Sequence, residues 1–134
     1  MRQKMISNEI IILRDTFRRL LRRKANTNLT KLIEKTHPAD MALLFRFFSE
    51  IEQNELFTIM RPGEHTGEFL GELDELIIKR LIENETPQHV ADLIEFTSSN
   101  DQASILSVIN EEASQAILDL LKSEEQEEVE EIMG

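Results

Sequence analysis

Apolar residues along this chain recur at spacings of three and four, most clearly between residues 86 and 109. Two apolar stripes follow one another there, at Val90, Ala91, Leu93 and Ile94 and then at Ile105, Leu106, Val108 and Ile109. This spacing places apolar side chains on one face of an α-helix. Sustained alternation of apolar and polar residues, the pattern of a half-buried strand, does not occur in the sequence. The pattern therefore predicts an all-α protein.

A shift of the sequence by 49 residues brings residues 37–60 onto residues 86–109. Identical residues then coincide at Pro38/Pro87, Ala42/Ala91, Leu44/Leu93, Phe47/Phe96, Ser49/Ser98 and Gln53/Gln102. Apolar residues coincide with apolar residues at six further positions: Met41/Val90, Phe45/Ile94, Leu56/Ile105, Phe57/Leu106, Ile59/Val108 and Met60/Ile109. We therefore predict two copies of one helical unit, which stack because neither copy buries its apolar face alone.

Capping residues divide these units into short helices. His37 and Thr86 are predicted N-caps, each followed by a proline at the first helical position. Further predicted boundaries are a turn at Pro62-Gly63, helix starts at Asp74 and Asn110, a break at Ser99-Asn100-Asp101, and a capping box at Ser123-Glu124-Glu125-Gln126 that opens a separate final helix. The predicted fold is a right-handed superhelical stack of about ten short, armadillo-like helices.

The distribution of charge divides the chain at a different position from the repeat. Residues 1–35 hold ten Lys/Arg and three Asp/Glu, a net charge of +7, whereas residues 36–134 hold five and twenty-three, a net charge of −18. We predict a basic N-terminal helix over residues 1–24 and an acidic helical-repeat domain over residues 25–134, with repeat units at about 37–85 and 86–134. The acidic part repels nucleic acid and anionic lipid, and it attracts cations or basic partner surfaces. The basic helix is either solvated or packed against an acidic surface.

Composition narrows the classes of function further. The 134 residues suffice for one domain with a hydrophobic core. No segment approaches the roughly 20 apolar residues that a membrane-spanning helix needs, so we expect no direct membrane insertion. The chain has no cysteine, which excludes disulfides and thiolate ligands. It also lacks a phosphate-binding loop, a nucleophile elbow and an HExxH pair, so we expect no enzyme.

Histidines and carboxylates are the candidate ion ligands. His37 precedes Asp40 by three residues, and His89 precedes Asp92 by the same spacing. A transition-metal site needs two further ligands that the neighbouring sequence lacks, so structural roles such as helix capping are the favoured interpretation of both histidines.

Carboxylates also recur at helical spacing, at Glu64, Glu68, Glu72 and Glu75, with Asp74 beside them. Such a stripe is typical of a solvated helix face. It also suits a hard cation, because Mg²⁺ prefers oxygen ligands, keeps several waters and needs only one or two carboxylates. Both interpretations remain open on these residues alone.

The order of these features resembles a known family. A basic, leucine-rich segment (LLRRKANTNLTKLIEKT) precedes the helix start HPADMALLF, and EFLGEL and TPQHVADLIEF follow in the same phase. Over roughly residues 18–134 the chain resembles the cytoplasmic N domain of MgtE-type magnesium transporters. The middle part of the flagellar switch protein FliG is the alternative resemblance, because it is also a helical repeat.

The resemblance to the MgtE N domain implies a mechanism. In that family the acidic N domain precedes a pair of CBS domains and a membrane pore. Mg²⁺ ions bridge carboxylates of the N and CBS domains and favour the closed pore, since they offset the repulsion between two acidic surfaces.

The resemblance also implies site residues. Glu68 and Asp101 are the first candidate Mg²⁺ ligands, and Glu64, Glu72 and Asp74 are secondary ones. Asn100 and Ser104 occupy positions at which the family segment supplies further carboxylates.

We therefore expect a cytoplasmic regulatory domain of a magnesium transporter that binds Mg²⁺ at an interface. Its expected partners are a CBS domain pair and a magnesium channel domain, on the same chain or a separate one. The alternative is a metal-independent, FliG-like scaffold for protein–protein interaction. The sequence leaves the oligomeric state open, with a homodimer among the alternatives.

Overall fold

The computed structural model describes residues 7–133, with side chains over residues 8–122. Over these residues the chain forms nine helices and no strand, which confirms the predicted all-α fold class. The helices are α1 (Ser7–Arg22), α2 (Asn26–Lys35), α3 (Pro38–Phe45), α4 (Glu50–Thr58), α5 (Glu64–Glu72), α6 (Glu75–Glu83), α7 (Pro87–Ile94), α8 (Ser99–Ser107) and α9 (Glu111–Met133). None of these helices, as far as the structure describes them, is long and apolar enough to cross a membrane.

The helices group into two compact units, one up to Arg61 and one from Pro62 onward. In the first unit α1 packs against α2 and α4. In the second unit α5 packs against α7 and α8, and α7 packs against α9. The division into a basic helix over residues 1–24 and an acidic domain over residues 25–134, which rests on charge, stays a prediction.

Aromatic packing forms the core of the first unit. Phe17 of α1 and Phe45 of α3 are fully buried, and Phe48 lies between them with 5% of its surface exposed. The ring of Phe48 meets both neighbours edge to face, with centroid distances of 5.9 Å to Phe17 and 6.0 Å to Phe45. Such pairs add to the free energy gained by burying the rings. They fix α1 against the end of α3.

The 49-residue repeat is visible in the helix boundaries. α3 and α7 begin at Pro38 and Pro87 and end at Phe45 and Ile94, so both ends shift by 49 residues. α4 and α8 shift in the same way, and α2 and α6 begin 49 residues apart. The structural repeat therefore includes a helix upstream of the pair that the sequence match indicated.

In each copy of the repeat, a glutamine side chain donates a hydrogen bond to the last residue of an earlier helix. The side-chain amide of Gln53 donates to the carbonyl oxygen of Phe45 at 2.6 Å, and that of Gln102 donates to the carbonyl oxygen of Ile94 at 2.8 Å. Both carbonyls lie at a helix end, where backbone acceptors lose their partners within the helix. The identity of these two residues thus has a structural cause.

Most predicted helix starts are confirmed. His37 and Thr86 are the N-caps of α3 and α7, Asp74 is the N-cap of α6, and Pro62-Gly63 lies in the turn before α5. The break predicted at Ser99-Asn100-Asp101 is wrong by a few residues. Ser98 is the N-cap of α8 and accepts a hydrogen bond from the Asp101 N–H, so these three residues form the first helical turn.

The separate final helix predicted at Ser123 is also wrong. α9 continues from Glu111 to Met133 without interruption. Residues 111–133 contain no glycine or proline, and most of them are strong helix formers, so the capping-box pattern at Ser123 meets no break in the chain. This continuity explains why the described residues form nine helices rather than about ten.

Candidate functional site

The exposed side of α5 carries three of the predicted ligands. Glu64, Glu68 and Glu72 are all solvent-exposed and lie four residues apart, so they follow one line along the helix. The opposite side of α5 is buried and includes Phe69 and Leu70. Like charges at this spacing repel one another, and a bound cation would relieve that repulsion.

Two glycines allow α5 to approach the region of α8. A Cβ atom on Gly67 would lie 1.9 Å from Cγ2 of Thr97 and 2.5 Å from its Cβ, which is closer than non-bonded atoms can come. A Cβ atom on Gly71 would lie 3.2 Å from Oδ1 of Asp101. The absence of side chains at both positions therefore brings Thr97 and Asp101 against α5.

Asp101 is the predicted ligand that this packing brings to α5. Its backbone N–H donates to the hydroxyl of Ser98 at 3.1 Å, and its carboxylate is half-buried beside Gly71. Gly71 lies next to Glu72 and three residues after Glu68 in α5. Asp101 and the acidic side of α5 thus belong to one packed pair of helices.

Asp74 occupies a different position from the other four candidates. It is exposed at the N-cap of α6, after the end of α5. The structure therefore places four predicted ligands on the α5–α8 pair and the fifth at the start of the next helix. Among the residues that the structure describes, no group of three or more His, Cys, Asp or Glu side chains is arranged to hold a metal ion. The assignment of all five as Mg²⁺ ligands stays a prediction.

The internal repeat gives Asp101 a counterpart in the first unit. The equivalent residue, 49 positions earlier, is Glu52, which forms an ion pair with Arg18 at 2.8 Å. The position equivalent to Arg18 in the second unit is Gly67. Within the described part of the chain Asp101 forms no ion pair. The same acidic position is therefore neutralised in the first copy and left charged in the second.

Hydrogen bonds govern the ionisation of Glu52. Burial acts to raise the pKa of its carboxyl group, but hydrogen bonds from Arg18 and from Ser49 outweigh burial and hold the pKa below its usual range. The hydrogen bond to Glu52 raises the pKa of Arg18 in turn. Glu52 also completes a capping box with Ser49, so one carboxylate joins α1 to the start of α4. The sequence analysis missed this pair, although the 49-residue shift aligns Glu52 with Asp101.

His37 and His89 make hydrogen bonds within or at the start of helices, which agrees with the structural roles favoured for them. Nδ1 of His37 accepts a hydrogen bond from the Ala39 N–H at 3.1 Å and so caps α3. Nδ1 of His89 lies 2.6 Å from a carboxylate oxygen of Glu85, on the preceding turn. Asp92 accepts a hydrogen bond from Gln88. The structural interpretation of His37 is thus confirmed, and Glu85 rather than Asp92 contacts His89.

Comparison with known proteins agrees with this acidic, helical-repeat architecture. The family description of the MgtE intracellular N domain matches residues 36–134. The chain belongs to this family. The MgtE intracellular N domain is the cytoplasmic domain of a group of magnesium transporters, so the chain belongs with transporter domains. Neither the curated proteins nor the solved structures include a significant match to the chain. α1 and α2 both precede the matched residues.

Proposed function

We propose that this MgtE N domain senses Mg²⁺ and regulates a magnesium transporter by docking to its CBS domain pair. The observation that carries the proposal is the uncompensated carboxylate of Asp101 on the α5–α8 pair, in a chain that belongs to this family. Glu68 and Asp101 are the first ligands, and Glu64, Glu72 and Asp74 contribute further negative charge.

The charge of the second unit supports an ion-dependent contact. Residues 62–134 hold three Lys/Arg and nineteen Asp/Glu, a net charge of −16. Two surfaces of this kind repel each other, and divalent cations between them remove the repulsion. Mg²⁺ keeps several of its waters and needs few protein ligands, so carboxylates from two facing surfaces complete a site that neither surface forms alone. A rise in Mg²⁺ then favours the docked state over the separated one.

Thermal unfolding of the isolated chain tests whether it binds Mg²⁺ by itself. The chain is titrated from chelator to tens of millimolar Mg²⁺, with NaCl controls at equal ionic strength. A ligand that binds only the folded state stabilises it by about 2.7 kcal/mol at one hundred times its dissociation constant. Glu68→Gln with Asp101→Asn should reduce any stabilisation by Mg²⁺. Glu83→Gln with Asp92→Asn removes the same charge from the same unit and should leave the effect intact.

Binding to a purified CBS domain pair of an MgtE transporter tests the docking step itself. We expect the affinity to rise with Mg²⁺ and to fall when Glu68 and Asp101 are neutralised, while the control variant binds like the unmodified chain. If Mg²⁺ changes neither unfolding nor CBS binding beyond the effect of NaCl, the proposal is wrong.

A metal-independent, FliG-like scaffold is the second candidate. Its support is a pair of exposed phenylalanines at the same repeat position, Phe47 with 44% and Phe96 with 62% of their surface accessible. Leu76 of α6 is 79% exposed as well. Exposed apolar side chains of this size are typical of protein-binding surfaces when they group together. CBS binding that persists in chelator and is lost in Phe96→Ser would favour this candidate.

A further inference from the structure

The outer face of α1 is both basic and apolar. Ile10 and Phe17 fix the inner face of this helix in the core, with 7% and 0% of their surface exposed. Ile12 on the other side is 67% exposed. Arg19 is also exposed and lies seven residues further on, which is about two turns of an α-helix. Ile12 and Arg19 therefore project from the same side of α1.

Two arginines of α1 are already neutralised, and four cations at its end are not. Arg14 contacts Asp15 at 3.2 Å, and Arg18 contacts Glu52 at 2.8 Å. The cations that form no ion pair within the described residues are Arg19, Arg22, Arg23 and Lys24, and all four are solvent-exposed. The exposed charge of α1 is thus concentrated in its last turn and just beyond it.

Charges on the neighbouring helix restrict the surface on which an anion can bind. Glu52 and Glu55 of α4 share a shallow cleft with Arg22 and Lys24. Asp15 lines the same cleft, so an anion on that side would meet three carboxylates. An anion binds more favourably on the side of α1 that carries Arg19 and Arg23. That side also carries the exposed side chain of Ile12.

The exposed arginines and the exposed isoleucine together distinguish between the partners that could bind this side of α1. A nucleic acid would pair with the arginines through its phosphates but would leave Ile12 without an apolar partner, and an acidic protein surface would need an apolar group beside its carboxylates to cover Ile12. The interface of an anionic bilayer offers phosphate groups and acyl chains together, which is why basic amphipathic helices lie in it. The chain belongs to a family of intracellular domains of membrane transporters, and such a transporter lies in a bilayer. α1 also lies outside the residues that the family description matches.

We propose that α1 docks peripherally onto an anionic membrane surface through Ile12, Arg19 and Arg23. Arg22 and Lys24 add to the attraction from the α4 side. This inference goes beyond the proposed Mg²⁺ sensing and does not rest on it. The formal charge of the whole chain is −11, which alone would keep it away from anionic lipid. Charges separated by more than roughly 8 Å are screened at physiological salt, so a local basic surface can still bind.

Co-sedimentation of the full 134-residue chain with lipid vesicles tests the proposal. Vesicles of phosphatidylcholine alone are compared with vesicles that also contain phosphatidylglycerol, in chelator and at two salt concentrations. We expect binding only to the anionic vesicles and weaker binding at higher salt. Arg19→Gln with Arg23→Gln should weaken binding by at least about tenfold, since each basic residue near an anionic surface contributes separately. Ile12→Ser should weaken it severalfold.

Lys31→Gln with Lys35→Gln is the matched control, because it removes two exposed charges from α2 instead. It should change vesicle binding less than twofold, and circular dichroism should show the same helix content in all variants. Absence of binding to anionic vesicles at low salt overturns the proposal, as does an equal loss in the control. Sedimentation of the chain without vesicles tests the alternative partner, which is a second copy of the chain. Self-association that depends on Arg19 and Arg23, without vesicle binding, would show that a second copy's acidic surface is the partner.

Discussion

Arg18 of α1 and Glu52 of α4 are joined by two hydrogen bonds, from Nε to Oε2 at 2.8 Å and from Nη2 to Oε1 at 3.2 Å. Nη2 of Arg18 also donates to the carbonyl oxygen of Phe47 at 3.0 Å. Oε1 of Glu52 accepts a further hydrogen bond from the Ser49 N–H at 2.8 Å. One guanidinium and one carboxylate therefore connect α1, the turn after α3 and the first turn of α4.

Glu52→Gln should lower the free energy of unfolding by about 1 kcal/mol at pH 7, because the charged hydrogen bonds are partly exposed to solvent. The pKa of Glu52 is lower in the folded chain than in the unfolded chain. Its contribution is therefore complete above the unfolded pKa, about 4.3, and is lost as the pH falls below that value. The difference between the two proteins should shrink toward pH 3. Urea unfolding at pH 7, 5 and 3.5 measures it.

Glu55→Gln is the control for this experiment, since Glu55 is an exposed glutamate on the same helix. It should change stability by a few tenths of a kcal/mol at most. A constant difference between Glu52→Gln and the unmodified chain at all three pH values would contradict the ionic role of Glu52.

Gly67→Ala should destabilise the chain by at least about 1 kcal/mol, because overpacking of a closely packed contact outweighs the gain in helix propensity. The added methyl group would overlap Cγ2 of Thr97. Thr97→Ser removes Cγ2 and keeps the hydroxyl that donates to the Ile94 carbonyl oxygen. The double variant should therefore recover part of the loss. Thermal unfolding of the two single variants and the double variant measures this coupling.

Gly71→Ala is the matched control in the same helix. Its added methyl group would meet only Oδ1 of Asp101, at 3.2 Å, and that side chain can turn away. We expect unchanged stability or a gain of up to about 1 kcal/mol. A loss as large as that of Gly67→Ala would show that the whole face of α5, rather than Gly67, requires glycine.

Gln53→Ala should cost about 2 kcal/mol, because the side chain is buried and its loss leaves the Phe45 carbonyl without this donor. Gln102→Ala should cost about half as much, since Gln102 is only half-buried and the Ile94 carbonyl still accepts hydrogen bonds from the N–H and the hydroxyl of Thr97. Chemical denaturation of both variants measures the difference. Gln115→Ala, at an exposed position of α9, is the control. Equal losses at residues 53 and 102 would contradict the dependence on burial.

Lys24→Gly should raise stability by roughly 0.5–1 kcal/mol. Lys24, the second residue after the end of α1, has a φ angle of 53°, a left-handed conformation that favours glycine. The N–H groups of Lys24 and Ala25 donate to Leu21 and Leu20, which is the hydrogen-bond pattern of a glycine-terminated helix. Lys24→Ala removes the same charge but keeps the unfavourable backbone, and it should not be stabilising. Differential scanning calorimetry distinguishes the two.

The sequence predicted the helix boundaries correctly where capping residues and the spacing of apolar residues indicate the same boundary. His37 and Thr86 cap their helices as predicted, because a polar residue before proline satisfies both backbone and side-chain requirements of a helix start. The prediction failed at Ser123, where the capping signal is present but no residue interrupts the helix. A cap alone does not end the preceding helix when strong helix formers continue through it.

The candidate site was predictable in part. Helical spacing placed Glu64, Glu68 and Glu72 on one exposed side of α5, because that relationship is local to one helix. The contact of Asp101 with Gly71 joins residues 30 positions apart, and spacing within a helix gives no information about it. The ion pair of Arg18 with Glu52 joins α1 to α4 and was missed for the same reason.

α9 is a rigid lever arm in mechanical terms. Its 23 residues extend over about 35 Å, and its first half, which includes the buried side chains of Ile117 and Leu121, lies in the unit where α9 packs against α7. Because the helix has no glycine or proline at which to bend, a tilt of about 10° at the contact with α7 displaces Met133 by roughly 3–4 Å. A small change in side-chain packing at one end of the helix thus becomes a movement of several ångströms at the other.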